Sequence, residues 1–84
     1  MITKEDFEIL HWVEFMNYND PKKLSQQMGL SEKEAEIKMK ELEKNELIIR
    51  ECRFGKLYGY KLTEKGLKIW NAKRYLNWKL GLGY

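Results

Sequence analysis

One cysteine, one histidine and one proline are all that these 84 residues contain of those three types. The lone Cys52 excludes an internal disulfide framework and points to a reducing, cytoplasmic setting. The single histidine, His11, has no Cys or carboxylate cluster around it at metal-ligand spacing, and no glycine-rich phosphate loop is present. Neither an enzyme, a metal nor a bound cofactor is therefore expected. No apolar run approaches the ~20 residues of a membrane span, and the opening residues, MITKEDFEIL, lack the basic-then-apolar pattern of a secretory leader. Linkers, repeats and low-complexity stretches are absent, so residues 1–84 read as one small domain. A domain of this size buries a limited core, and a partner or a second copy is expected to support it.

What the chain has is charge, unevenly placed. Its 43% hydrophobic and 35% charged residues fit a soluble globular protein and not a disordered tail. Residues 1–49 hold seven Lys and eleven Asp or Glu, a net of −4, whereas residues 50–84 hold nine Lys or Arg and two Glu, a net of +7. Such a polarised field favours an anionic partner, nucleic acid first. A Lys-rich solvated surface accounts for the same numbers without a partner.

The first helix is predicted over residues 4–17. Thr3 is a good N-cap, Asp6 stands where a capping box places its acid, and Ile2 and Phe7 have the spacing of a hydrophobic staple. Ile9, Leu10, Val13 and Met16 form one apolar stripe, with Trp12 and Phe15 beside it. Residues 17–21 are a turn. From it Asp20 caps a second helix, 21–28, with Pro21 at its first position. Leu24 and Met28 are expected to face inward, Ser25 to let the next helix approach, and Gly29 to be left-handed at the helix end. Leu30 plugs the turn, and Ser31 with Glu34 forms the capping box of a third helix that ends near Asn45. Two helices joined by a short glycine-containing turn, here over 21–45, are the helix-turn-helix signature, although a plain helical hairpin has similar spacing.

Residues 47–53 then read as a strand, 54–56 as a turn and 57–62 as the returning strand, with Tyr58, Tyr60 and Leu62 on one face. A two-stranded hairpin is not stable alone, so Leu47, Tyr60 and Leu62 are expected to lean on the helices. Thr63 caps a last helix, 64–80, closed by Gly81 and Gly83. Its apolar residues are Leu67, Ile69, Trp70, Leu76 and Leu80, widened by Tyr75 and Trp78, with Lys68, Lys73, Arg74 and Lys79 on the remaining surface. The fold class is mainly α with a two-stranded β-hairpin.

Two stretches resemble winged helix-turn-helix regulators. Lys23-Leu24-Ser25 through Leu42-Glu43-Lys44-Asn45-Glu46-Leu47-Ile48 is similar to their second helix, recognition helix and the start of the wing. Tyr60-Lys61-Leu62-Thr63-Glu64-Lys65-Gly66 looks like the end of the wing and the start of the C-terminal helix in MarR- and PadR-like regulators. The size and the Lys/Glu-rich composition resemble small regulators of archaea and their viruses. The resemblance implies a winged helix-turn-helix fold that binds double-stranded DNA, often as a homodimer joined through its terminal helices. In this reading 21–45 is the helix-turn-helix, 47–62 the wing and 64–80 the C-terminal helix.

The faces of the third helix decide whether it suits DNA. With Ala35 at zero on a wheel of 100° per residue, Met39 and Leu42 fall within about 40° and define the core face. Lys33, Ile37, Lys40 and Lys44 lie opposite, while most acids flank the helix, with Glu34/Lys38 and Glu36/Lys40 at favourable i, i+4 spacing. Ser31, Lys33, Glu34, Ile37 and Lys38 are the expected base-reading residues, on the first turns that reach base edges. Lys22 and Lys23 are expected to hold the DNA backbone, with Arg50, Arg53, Lys56 and Tyr58 of the wing. Basic residues on a hairpin also protect its edges from aggregation.

The aromatic residues Trp12, Phe15, Trp70, Tyr75 and Trp78 come from the two terminal helices. Packing within the chain and a two-fold dimer interface both account for them. The leading expectation is a homodimeric transcriptional regulator. The alternatives are a winged-helix protein-interaction module meeting an acidic partner, and a sensor responding to a small-molecule effector or through Cys52, itself expected to be a half-buried strand residue.

Overall fold

The computed structural model describes residues 2–15 and 20–81, and for Arg53, Lys56, Leu57, Tyr58 and Trp78 the backbone alone. Its elements are α1 (Lys4–Phe15), α2 (Pro21–Met28), α3 (Glu32–Lys44), β1 (Ile48–Arg53), β2 (Lys56–Leu62) and α4 (Glu64–Lys79). Met16, the 17–19 turn and Gly83 of the sequence reading lie outside the described residues. No described helix is long and apolar enough to cross a membrane.

Each helix starts where its side chains satisfy orphan backbone donors. Thr3 Oγ1 accepts from the Asp6 amide at 3.1 Å while Asp6 returns a carboxylate to the Thr3 amide at 3.0 Å. Asp20 accepts from the Lys23 amide at 2.8 Å, and Pro21 sits at the first helical position. Ser31 and Glu34 form the same reciprocal box at α3. The α2 end is also as expected. Gly29 takes φ 69°, and the Leu30 amide reaches back to the Ser25 carbonyl at 3.1 Å.

α3 ends where expected, with Asn45 as its C-cap. Its left-handed residue is Glu46, at φ 63°, one position beyond Asn45. The Leu47 amide donates to the Leu42 carbonyl and the Glu46 amide to the Glu43 carbonyl, both at 3.0 Å. This double closure is a Schellman motif, in which glycine usually occupies the left-handed place. Glu46 is held there from outside the helix, because the Thr63 hydroxyl donates to the Glu46 carbonyl at 2.6 Å.

That hydroxyl is a junction. It also accepts from the Gly66 amide at 3.0 Å, while the Thr63 amide donates to the Leu47 carbonyl. One threonine thus joins the end of α3, the residue before β1 and the first turn of α4. Gly66 is obligatory at this crossing, because a Cβ there would collide with the Leu47 carbonyl oxygen.

α1 is the central element. Phe7, Ile9, Leu10 and Val13 are buried, and they meet Leu24 of α2, Ala35, Met39 and Leu42 of α3, Ile48, Tyr60 and Leu62 of the hairpin, and Trp70 of α4 in one core. Leu47, Tyr60 and Leu62 anchor the hairpin as their pattern requires. Ile2, Trp12, Met28, Leu67 and Ile69 pack around the core's edge.

β1 and β2 pair antiparallel, from Ile48↔Leu62 at the core to Arg53↔Lys56 at the tip. The register shifts between Glu51↔Gly59 and Cys52↔Leu57, so β2 carries one extra residue, a β-bulge. Tyr60 and Leu62 are both buried, as their shared face requires, and the Tyr58 side chain lies outside the described residues. The turn is also tighter than 54–56: only Phe54 and Gly55 form it, both at positive φ, and Lys56 already belongs to the strand. Cys52, expected half-buried, is exposed.

Candidate nucleic-acid interface

The two faces of α3 separate as the wheel requires. Ala35, Met39 and Leu42 are buried, and Lys33, Ile37, Lys40 and Lys44 are exposed. Ile37, half exposed, is an apolar side chain on an otherwise polar outer face. Lys40 is tied at 3.0 Å to Glu36 one turn earlier, the i, i+4 pair that the spacing requires.

Among the five expected base-reading residues, the structure divides the roles. Ser31 and Glu34 are engaged in the capping box, which fixes the helix start and turns the Glu34 carboxylate back toward the Ser31 amide at 3.4 Å. Lys38 is not paired with Glu34 as its spacing suggested. It reaches across to Glu5 of α1 at 2.9 Å and is half-buried there. The hydrogen bond that Lys38 donates to Glu5, and then the Glu5 charge, push the Lys38 ammonium above its ordinary pKa. Lys38 therefore clamps α3 to α1. Lys33 and Ile37 remain as the outward pair on the first two turns.

The hairpin is strapped to the other flank of α3. Arg50 Nε lies 2.9 Å from Glu43 Oε2 and donates to Oε1 at 3.2 Å. Glu43 holds the guanidinium above its usual range, chiefly by this hydrogen bond. Arg50, expected on the DNA backbone, is first a brace between α3 and the hairpin. Lys22 and Lys23 are exposed on the first turn of α2, with Lys23 Nζ 3.9 Å from Asp20. The side chains of Arg53, Lys56 and Tyr58 lie outside the described residues, but the register places Arg53 and Lys56 opposite one another beside the turn.

The aromatic set does not form one surface. Trp70, expected at a dimer interface, is buried, and its indole Nε1–H donates to His11 Nδ1 at 3.1 Å. His11 is itself buried and stacked on Phe15, with centroids 5.3 Å apart. Burial, then the nearby Arg74 charge, lower the His11 pKa. This polar link joins α1 to α4 and removes Trp70 from any surface. Trp12 is partly buried at the core's edge, while Phe15 and Tyr75 are exposed, with Leu76 and Leu80. The Trp78 side chain is outside the described residues.

Sequence reasoning missed both clamps. Glu5–Lys38 and Glu43–Arg50 join different elements, and no periodicity within one element marks such pairs. Strand periodicity also gives no sign that Phe54-Gly55 stands where tight hairpins favour Asn-Gly. No group of His, Cys, Asp and Glu among the described residues is arranged to hold a metal ion. Set beside known proteins, the chain matches no family model and no curated protein.

Proposed function

We propose that this chain is a winged-helix protein that binds double-stranded DNA, with α3 in the major groove and the β1–β2 hairpin along the backbone. The observation that carries the reading is the outward face of α3. Lys33, Ile37, Lys40 and Lys44 lie opposite a fully buried core face, with capped ends and a braced hairpin beside them. Lys33 suits guanine O6 and N7, and Ile37 suits a thymine methyl. The net +7 of residues 50–84 supplies the field that draws the phosphates. The chain acts as a transcriptional regulator, and it pairs as a homodimer through Phe15, Tyr75, Leu76 and Leu80, apolar residues left exposed on the two terminal helices.

A salt series on duplex DNA tests this. Affinity should fall steeply with salt, and Lys22→Ala, at a residue expected on the DNA backbone, should flatten the log–log slope by about 0.9, the loss of one phosphate contact. No duplex binding at low salt rejects the proposal. The second reading, a protein-interaction module, is favoured by Ile37 and Ile49, each about half exposed. It predicts that Ile37→Asp abolishes partner capture while leaving weak duplex binding unchanged.

A further inference from the structure

The hairpin tip carries a residue that the fold does not require. Phe54 opens the two-residue turn at φ 54°, and Gly55 follows at φ 76°. Left-handed values at both positions define a type I′ turn, for which Asn-Gly, Asp-Gly or Gly-Gly is favoured. A phenylalanine in the first place carries backbone strain that asparagine tolerates far better. Packing does not offset this strain. Phe54 is 103% exposed, whereas the other large exposed hydrophobics lie between 48% and 64%. The turn is neither built by this ring nor covered by it.

Three further observations aim the ring at a partner. From the Ile48↔Leu62 rung to Arg53↔Lys56 the hairpin extends five residues, roughly 17 Å at strand rise. The bulge between those rungs bends and twists β2, the means by which strands re-aim their ends. The residues on either side of the turn are both cationic types, Arg53 and Lys56, in a stretch of net positive charge. An apolar ring between basic residues, at the end of a braced arm beside α3, suits a polyanion with stackable faces.

We infer that Phe54 is an intercalating wedge. With α3 in the major groove, the hairpin carries the ring into the neighbouring minor groove, where it enters between adjacent base pairs and partly unstacks them. Apolar wedges kink duplexes in this way, and the bent DNA then covers more protein surface. The inference rests on the DNA-binding reading and adds that this protein deforms its target. Stacking tolerates any sequence, because every base has a π-face. Phe54 therefore supplies affinity and bending, and selectivity is left to Lys33 and Ile37.

The test compares the native chain with Phe54→Asn and Phe54→Tyr. Asparagine is favoured in this turn, so the variant should fold with an unchanged or raised Tm. Its affinity for a mixed-sequence duplex should fall roughly 5- to 100-fold, the loss of one aromatic stack. The salt slope should not change, because no cation is removed. At matched occupancy the native protein should unwind a closed circular plasmid relaxed by topoisomerase, and Phe54→Asn should not. Phe54→Tyr should restore both affinity and unwinding.

Native affinity in a folded Phe54→Asn variant, or retained unwinding, overturns the wedge and leaves the DNA reading standing. Failure of the native chain to bind any duplex at low salt overturns both. Phe54-dependent binding to phosphatidylserine vesicles, with duplex affinity unchanged by Phe54→Asn, overturns the wedge in favour of a lipid surface.

Discussion

At the scale of single residues, His11 is a buried polar group tied into the core by a hydrogen bond. Its Nδ1 accepts the Trp70 indole hydrogen, so the ring must be neutral with its proton on Nε2. Around it stand Phe7, Trp12 and Phe15 of α1 and Trp70 of α4, with Arg74 the nearby charge and also seated over the Trp70 ring at 5.1 Å. Because the folded pKa lies below the ordinary value of about 6.5, the unfolded chain binds the proton more readily. Its contribution to stability is therefore complete above about pH 6.5 and falls as pH drops through the window below it. His11 is the only histidine, so a loss as pH falls below about 6.5, before the carboxylates titrate, is assignable to it. Thermal unfolding over this range should show a falling Tm for the native protein and a nearly flat one for His11→Phe. Equal slopes in the two proteins would remove His11 as the cause.

At the scale of elements, the junction of α3, β1 and α4 rests on Gly66 and Thr63. A methyl group at residue 66 meets backbone and not the yielding end of a side chain, so the helix itself must move. Gly66→Ala should destabilise by about 1–3 kcal/mol, as overpacking does, despite the better helix propensity of alanine. Urea unfolding measures it, and a change within about 0.5 kcal/mol would show that α4 can shift without cost. The clamps Glu5–Lys38 and Glu43–Arg50 belong to the same scale but act differently. Both are about half exposed, and water-accessible pairs of this kind contribute little to stability. Their consequence is geometric, since they set how α3 lies relative to α1 and to the hairpin.

For the whole molecule, an anionic partner and a second copy of the chain are proposed together. The two use different surfaces. The basic residues proposed to meet DNA lie on the outward face of α3 and on the hairpin, while Phe15, Tyr75, Leu76 and Leu80 expose apolar area on the terminal helices. With Trp70 sequestered in the core, the proposed dimer rests on that second group. In sedimentation equilibrium the native chain should be a dimer and a Leu76→Glu/Leu80→Glu variant a monomer, with Tm little changed because neither leucine is buried. A native monomer at tens of micromolar, the usual working range for transient interfaces, would end the dimer proposal and leave DNA binding to a single domain.

The sequence by itself determined what depends on near neighbours. Caps at Thr3, Asp20 and Ser31, the left-handed Gly29, the buried Ala35, Met39 and Leu42, and the order of helices and strands all follow from spacing and local hydrogen bonding. Part of the candidate site was legible for the same reason: Lys33 and Ile37 point outward because helical period fixes their side opposite the core. Only the tertiary structure decided the rest. Glu46 takes the left-handed place of a glycine because Thr63, seventeen residues on, holds its carbonyl. Lys38 and Arg50 are clamps because Glu5 and Glu43 are brought to them by packing. Trp70 leaves the surface because His11, fifty-nine residues earlier, supplies the acceptor that its buried N–H needs.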